Sequence, residues 1–243
     1  MTEHTKGLVV ITGASSGIGA AMAQRFSEAG HPLLLLARRV EKTEALNLPN
    51  TLCRKVDVTD ATAFRDAVKE AEATYGPVEC LINNAGVMLL GQVDTQDPAE
   101  WQKMYDLNVV ALLNGMQLVL GDMKARKSGT ILNVSSVAGK KAFPNHAAYV
   151  GTKFAVSAIS ENVREEVADL GVRVMSLCPG AVDTELLGHT TDQAIIDGYE
   201  EWKDAMGGVL VADDIARTAL FMVGQPQNVN IRDVVITATR QQP

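Results

Sequence analysis

The sequence predicts an α/β fold of the doubly wound kind: a single domain over residues 1–243, built on one mostly parallel, seven-stranded sheet with helices on both faces. Three observations predict it. Short apolar runs alternate with longer amphipathic segments from one end of the chain to the other. Strand and helix in strict alternation imply crossover connections, which join parallel strands and lay helices over the sheet. A chain of 243 residues, 47% of them hydrophobic, is long enough for one sizeable core that buries roughly 70–75% of the unfolded surface. No internal repeat, low-complexity tract or charge-dense linker divides it.

Taken in order, the strands are expected at GLVVIT (7–12), PLLLLA (32–37), TLCRKV (51–56), VECLIN (78–83), GTILNV (129–134), VRVMSL (172–177) and RDVVIT (232–237). Each is a short run of the kind that fills a sheet buried on both sides. The helices are expected over residues 18–30, 60–76, one long stretch from about Ala99 to Met123, 146–171 and 212–224, where apolar positions recur at helical spacing. One interval breaks the rhythm. Residues 181–208, AVDTELLGHTTDQAIIDGYEEWKDAMGG, are longer than an ordinary connection and carry seven acids against one lysine. Such an insertion reads as a lid or substrate loop, or as a solvated surface helix.

Composition narrows the function. A formal charge of −7 argues against a general nucleic-acid or anionic-membrane binder, both of which need a basic footprint. Apolar runs fall short of the ~18–20 residues of a membrane helix, and MTEHTKG lacks a signal-peptide core, so the expected location is the cytoplasm. Cys53, Cys80 and Cys178 form no CxxC pair and read as buried thiols of a reducing compartment. His4, His31, His146 and His189 are scattered without metal-ligand spacing, and no metal is expected.

The first predicted strand runs into TGASSGIG, which opens a helix. Orphan backbone N–H groups and the helix dipole make that junction an anion site. Gly13, Gly17 and Gly19 form GxxxGxG, a relative of the dinucleotide fingerprint, and no Gly-Lys-Ser/Thr follows to make a nucleotide-triphosphate loop. About 20 residues on, an NAD site would place an acid on the ribose diol. Here Arg38 and Arg39 stand instead, with no acid before Glu41. Two guanidinium groups attract a 2′-phosphate, so NADP(H) is favoured over NAD(H).

Tyr149 and Lys153 lie four residues apart in a helical pattern and so share a face. A phenol with an ordinary pKa near ~10 is a poor proton carrier at neutral pH. A neighbouring ammonium, together with an oxidised nicotinamide, would lower it.

These segments occur together with NNAG (83–86), Asn108, NVSS (133–136) and PGAVDT (179–184). Over nearly its whole length the chain thereby resembles the short-chain dehydrogenase/reductase family, whose fold is a Rossmann-type sheet. The resemblance implies that Tyr149 is the general acid/base, that Lys153 holds the nicotinamide ribose, and that Asn108 holds a water linking Lys153 to solvent. It gives the substrate-oxygen contact to Ser136, thirteen residues before the tyrosine, with Ser135 as the alternative. The cofactor contacts it implies are Gly13, Ser15, Ser16, Gly17, Ile18 and Gly19; Arg38 and Arg39; Asp57 and Val58 at the adenine. They continue through Asn84, Ala85 and Gly86, then Tyr149 and Lys153, then Pro179, Gly180, Val182 and Thr184 near the carboxamide.

The implied activity is interconversion of an alcohol and its carbonyl with NADP(H). NNAGVMLLG, LCPGAVDTEL and the C-terminal VNIRDVVITATRQQP look most like the branch with dehydrogenases of serine and small 3-hydroxy acids and clavulanate dehydrogenase. A 3-oxoacyl carrier-protein reductase is the alternative, weakened because the chain lacks Asp-Gly-Gly near its end and carries an acidic lid. A non-catalytic NADP(H) sensor is the other alternative, and an intact Ser136, Tyr149 and Lys153 argue against it. His146 and Met88 are candidates for the substrate pocket or for ordinary packing. Trp101 is expected to pack between helices and Trp202 to sit in the lid. The resemblance also implies a homotetramer, or a dimer, built on the 99–123 helix and the one carrying Tyr149.

Overall fold

A computed structural model describes residues 6–241; His4 lies outside them. Seven parallel strands are joined in the order β3-β2-β1-β4-β5-β6-β9. They are β1 (Leu8–Thr12), β2 (Leu33–Ala37), β3 (Thr51–Lys55), β4 (Val78–Asn83), β5 (Gly129–Val134), β6 (Val172–Pro179) and β9 (Asp233–Ile236). All seven predicted strands are present. Their apolar runs are continuous because the inner strands are covered on both sides: every residue of β1, β2, β5 and β6 is buried.

The pleat divides these residues between two cores. Leu8, Val10, Leu34, Leu36, Leu81 and Ile131 point to one side, where Phe64 and Ala67 of α3 (Ala61–Tyr75), Met116 of α5 (Ala111–Arg126) and Val156 of α6 (Ala147–Val167) cover them. Val9, Ile11, Leu33, Leu35 and Ile82 point to the other, against Met22 and Phe26 of α1 (Gly17–Glu28) and Ile215 and Ala219 of α8 (Ala212–Val223). Each fully buried side chain of this size contributes about 1.5–3 kcal/mol relative to exposure.

The chain winds outward from β1 through β2 to β3, then returns to the other side of β1 as β4. At that reversal the connections after β1 and β4 leave in opposite directions and open a crevice at the carboxyl ends of the strands. The site lies there.

Three details depart from the sequence expectation. The single helix expected from Ala99 to Met123 is α4 (Pro98–Tyr105), a π turn (Asp106–Val110) and then α5. Arg39 leads into a short helix, α2 (Val40–Glu44). The 181–208 insertion contains β7 (Val182–Asp183), a 3-10 turn over Glu185–His189 and α7 (Gln193–Ala205), and β7 pairs in parallel with β8 (Leu210–Val211). Cys80 and Cys178 are buried as expected, whereas Cys53, on the edge strand β3, is only partly so. Among the described residues no helix is long and apolar enough to cross a membrane.

Candidate active site

A cleft of about 960 Å³ opens over the carboxyl ends of β1, β4, β5 and β6. Its floor at one end is the glycine turn between β1 and α1. Gly13 sits at φ +67° and Gly17 at φ +51°, a region that side chains with a Cβ rarely adopt. A Cβ on Gly13 would lie 2.8 Å from Ala85 Cα, and one on Gly19 only 2.3 Å from the Gly13 carbonyl oxygen. The turn therefore presses against the segment after β4. Ser15, Ser16, Gly17 and Ile18 face the cleft, while Gly19 is buried beneath as the packing residue.

Thr12, not singled out in the sequence, ties the two loops together. Its hydroxyl accepts from the backbone N–H groups of Asn84 and Ala85, both at 3.0 Å, and Asn84 Nδ2 donates back to the Thr12 carbonyl at 2.9 Å. Asn84 is thus a brace between neighbouring strand ends, and Ala85 and Gly86 line the cleft beside it.

Arg38 and Arg39 also line the cleft, with Asp57 and Val58 close by. Arg39 donates to Ser16 Oγ at 2.9 Å and to Glu185 at 2.8 Å; Lys42 reaches the other Glu185 oxygen at 3.2 Å. Neither Lys42 nor Glu185 was foreseen, and a pairing across 146 residues leaves no local pattern to read. Burial acts to raise the Asp57 pKa, but hydrogen bonds from the Thr59 hydroxyl and N–H, with the charge of Arg38, hold it below the usual range.

At the other end stand the candidate proton-handling side chains. Tyr149 and Lys153, one turn apart on α6, are 5% and 6% exposed. Lys153 Nζ donates to the Val134 carbonyl at 3.0 Å and lies 5.7 Å from the centre of the Tyr149 ring. Burial lowers the Lys153 pKa from 10.5 to about 8. Burial also pushes the Tyr149 phenol well above the ordinary tyrosine range, against the pull of the Ser136 hydroxyl. In both cases desolvation disfavours the charged form, the phenolate of Tyr149 and the ammonium of Lys153.

The two serines differ in surroundings. Ser135 Oγ is turned toward α6, donating to the Lys153 carbonyl at 3.1 Å and sharing a hydrogen bond with Ser157 Oγ at 2.9 Å. Ser136 caps the 3-10 turn Val137–Gly139, accepting from Ala138 N–H at 3.1 Å, and keeps its hydroxyl beside the phenol.

Asn108 is set into the protein by the π turn, where one extra residue per turn rotates it inward. It grips Val87 at both backbone groups, 2.8 Å and 2.9 Å, and donates to Thr152 at 3.1 Å. Asn108 Oδ1 and Lys153 Nζ flank Gly86, 3.3 Å and 3.8 Å from where its Cβ would be.

Pro179 at the end of β6 and Gly180, Val182 and Thr184 beyond it form one wall, and Thr184 Cγ2 would meet a Cβ on Gly17 at 3.1 Å. Beyond them α7 roofs the cleft. Tyr199 and Trp202 stack edge-on at 5.3 Å, and His146 stands 6.3 Å from the Tyr149 ring and 6.2 Å from Tyr199. Burial lowers the His146 pKa, against a hydrogen bond to the Pro144 carbonyl that raises it. Met88 lines the same end; Trp101 instead packs outside it, donating to Gln96 at 2.8 Å.

The family described as short chain dehydrogenase matches residues 7–194. An uncharacterized oxidoreductase of Staphylococcus saprophyticus is 37% identical over 241 residues, covering 96% of each chain. Among solved structures, the closed form of a serine dehydrogenase complexed with NADP⁺ superposes with a TM-score of 0.90 at 27% identity, over 97% of this chain and 96% of that one. An alcohol dehydrogenase from Thermococcus sibiricus, complexed with 5-hydroxy-NADP, gives 0.85 at 25% identity, over 98% and 99%. The chain belongs to the short-chain dehydrogenase/reductase family, as an oxidoreductase.

Proposed function

We propose that this enzyme interconverts an alcohol and its carbonyl compound with NADP(H). The observation that carries the reading is the joint placement, in one cleft, of the glycine cradle, the Arg38–Arg39 pair and the buried Ser136–Tyr149–Lys153 group. The residues fit the cofactor: three glycines clear the backbone for a pyrophosphate, and Arg39 and Lys42 already hold a carboxylate where a 2′-phosphate would find cations. When bound, the nicotinamide supplies or accepts a hydride at the substrate carbon.

Everything else falls to the chain. Ser136 orients the substrate oxygen by a hydrogen bond, and Tyr149 gives that oxygen a proton in reduction or takes one in oxidation. Lys153, fixed by the Val134 carbonyl, supplies positive charge beside the phenol. Asn108 packs with Lys153 against Gly86 and holds the Val87 backbone beside them. The burial of Tyr149, 5% exposed, limits the access of water to the phenol.

Met88, Leu186, Ile195, Tyr199 and Trp202 line the substrate end together with polar side chains such as Asn145 and His146. Lys203, which also lines the cleft, is engaged by Glu200 at 2.8 Å. The apolar side chains support an alcohol with an apolar body, and a small 3-hydroxy acid would meet a Lys203 that is already paired. The working form we propose is a cytoplasmic homotetramer or dimer. The test is cofactor consumption with NADPH and NADH across neutral ketones and aldehydes, and with NADP⁺ across alcohols and 3-hydroxy acids. Turnover at least tenfold faster with the phosphorylated cofactor is expected. Tight NADPH binding without turnover on any compound would favour a sensor.

A further inference from the structure

The seat for the 2′-phosphate is filled from within. Arg39 and Lys42, at the start of α2, share the carboxylate of Glu185, which belongs to the first turn of the lid and lies 146 residues away from Arg39 in sequence. Arg39 uses the same nitrogen to hold Ser16 Oγ, so the three side chains form one anion cradle at the mouth of the glycine turn. The lid root lies directly on that turn, since Thr184 packs against Gly17. The cluster is half-exposed, and hydrogen bonds from the neighbouring cations, Arg39 first and then Lys42, hold the Glu185 carboxyl below the usual carboxylate range.

From this geometry, and resting on the NADP(H) reading above, we propose that Glu185 is an internal counter-anion that the cofactor's 2′-phosphate displaces, so that NADP(H), but not NAD(H), unties the root of the lid. A phosphate of charge about −1.5 to −2 outcompetes a single carboxylate for two cations. Both anions in one cradle repel each other. A ribose hydroxyl carries no charge and leaves the Arg39–Glu185–Lys42 bridge in place. Glu185 is then a specificity-determining residue as well as a tether: it lowers affinity for every ligand that must enter the cradle and ties lid opening to the arrival of the phosphate.

The test uses adenosine 2′,5′-bisphosphate, which carries the phosphate without a nicotinamide, and adenosine 5′-monophosphate, which lacks it. Hydrogen exchange is followed over residues 185–208 of the full chain, and affinity is read by titration calorimetry. The bisphosphate is expected to speed exchange around Glu185–His189 and the monophosphate to leave it unchanged. Glu185→Gln is expected to exchange rapidly without ligand and to bind the bisphosphate about two- to fivefold more tightly, with monophosphate affinity unaltered. Weaker or equal bisphosphate binding by Glu185→Gln, or slower lid exchange on binding, overturns the proposal and makes Glu185 a closing latch or a bystander. A wild-type chain that binds the two nucleotides equally overturns the NADP(H) reading and the proposal with it.

Discussion

Lys153 shows how burial alone sets the terms of the chemistry. A lysine 6% exposed, with one carbonyl at 3.0 Å, is costly to keep charged, and its pKa falls to about 8. The unfolded chain holds this proton up to its ordinary value of 10.5. Between those values the unfolded state binds more protons, so this group makes stability rise with pH; below about pH 8 its full penalty is present. Lys153→Met removes the dependence. Urea denaturation at pH 7, 8, 9 and ~10 is expected to show the wild type gaining on the variant across that range, by an amount on the order of 3 kcal/mol if the whole window were traversed. Parallel curves for the two proteins would contradict the assignment. The pairing of Tyr149 with Lys153 was legible from spacing, because i and i+4 share a helix face. The contrast between Ser135 and Ser136 was not: adjacent residues with one side-chain type separate only once the partners on α6 are known.

The elements that position the site were legible in proportion to how local their causes are. β1 and β2 announce themselves as LVVIT and LLLLA because both faces are covered. The π turn does not. Residues 99–123 keep helical composition throughout, and what selects the wider turn is a tertiary demand, the grip of Asn108 on Val87. Sequence reading placed Asn108 in a helix and by resemblance gave it a role, but it could not see the bulge that points it inward. Val87 is 4% exposed, so its backbone groups have little access to water. Asn108→Ala is expected to strand them and to lower stability by about 1–3 kcal/mol for each. Chemical denaturation is the check: a lowered midpoint at unchanged slope supports the stitch, whereas an unchanged midpoint refutes it. The lid was recognisable as an insertion because its length and acidity break the alternation. Its attachment to α2 through Glu185 was invisible, since nothing local encodes an ion pair between distant segments.

Across the whole molecule, the doubly wound order places every group discussed at one rim of the sheet. The opposing walls of the cleft come from β1 with β4 and from β5 with β6, so the glycine turn and the Tyr149–Lys153 pair share one cleft where the winding reverses. The outer face of α4, α5 and α6 is different in kind. Tyr105, Leu113 and Phe154 on these helices and Val110 in the intervening π turn are 41%, 40%, 44% and 48% exposed, and they belong to the segments on which the proposed assembly is built. Light scattering at micromolar concentration is expected to give two or four times the chain mass of 26.0 kDa. A mass of one chain would contradict that assembly and leave the cleft chemistry untouched.

The central claim is that Tyr149 carries the proton while the glycine turn and its cations hold NADP(H). Its most direct test is Tyr149→Phe, which deletes one oxygen and no packing volume of consequence. Turnover and NADPH affinity are to be measured on the same preparation, with the best substrate from the panel. The account predicts a loss of about 10²–10⁴-fold in kcat with NADPH affinity within a few-fold of wild type. A variant that turns over within tenfold of wild type would contradict it.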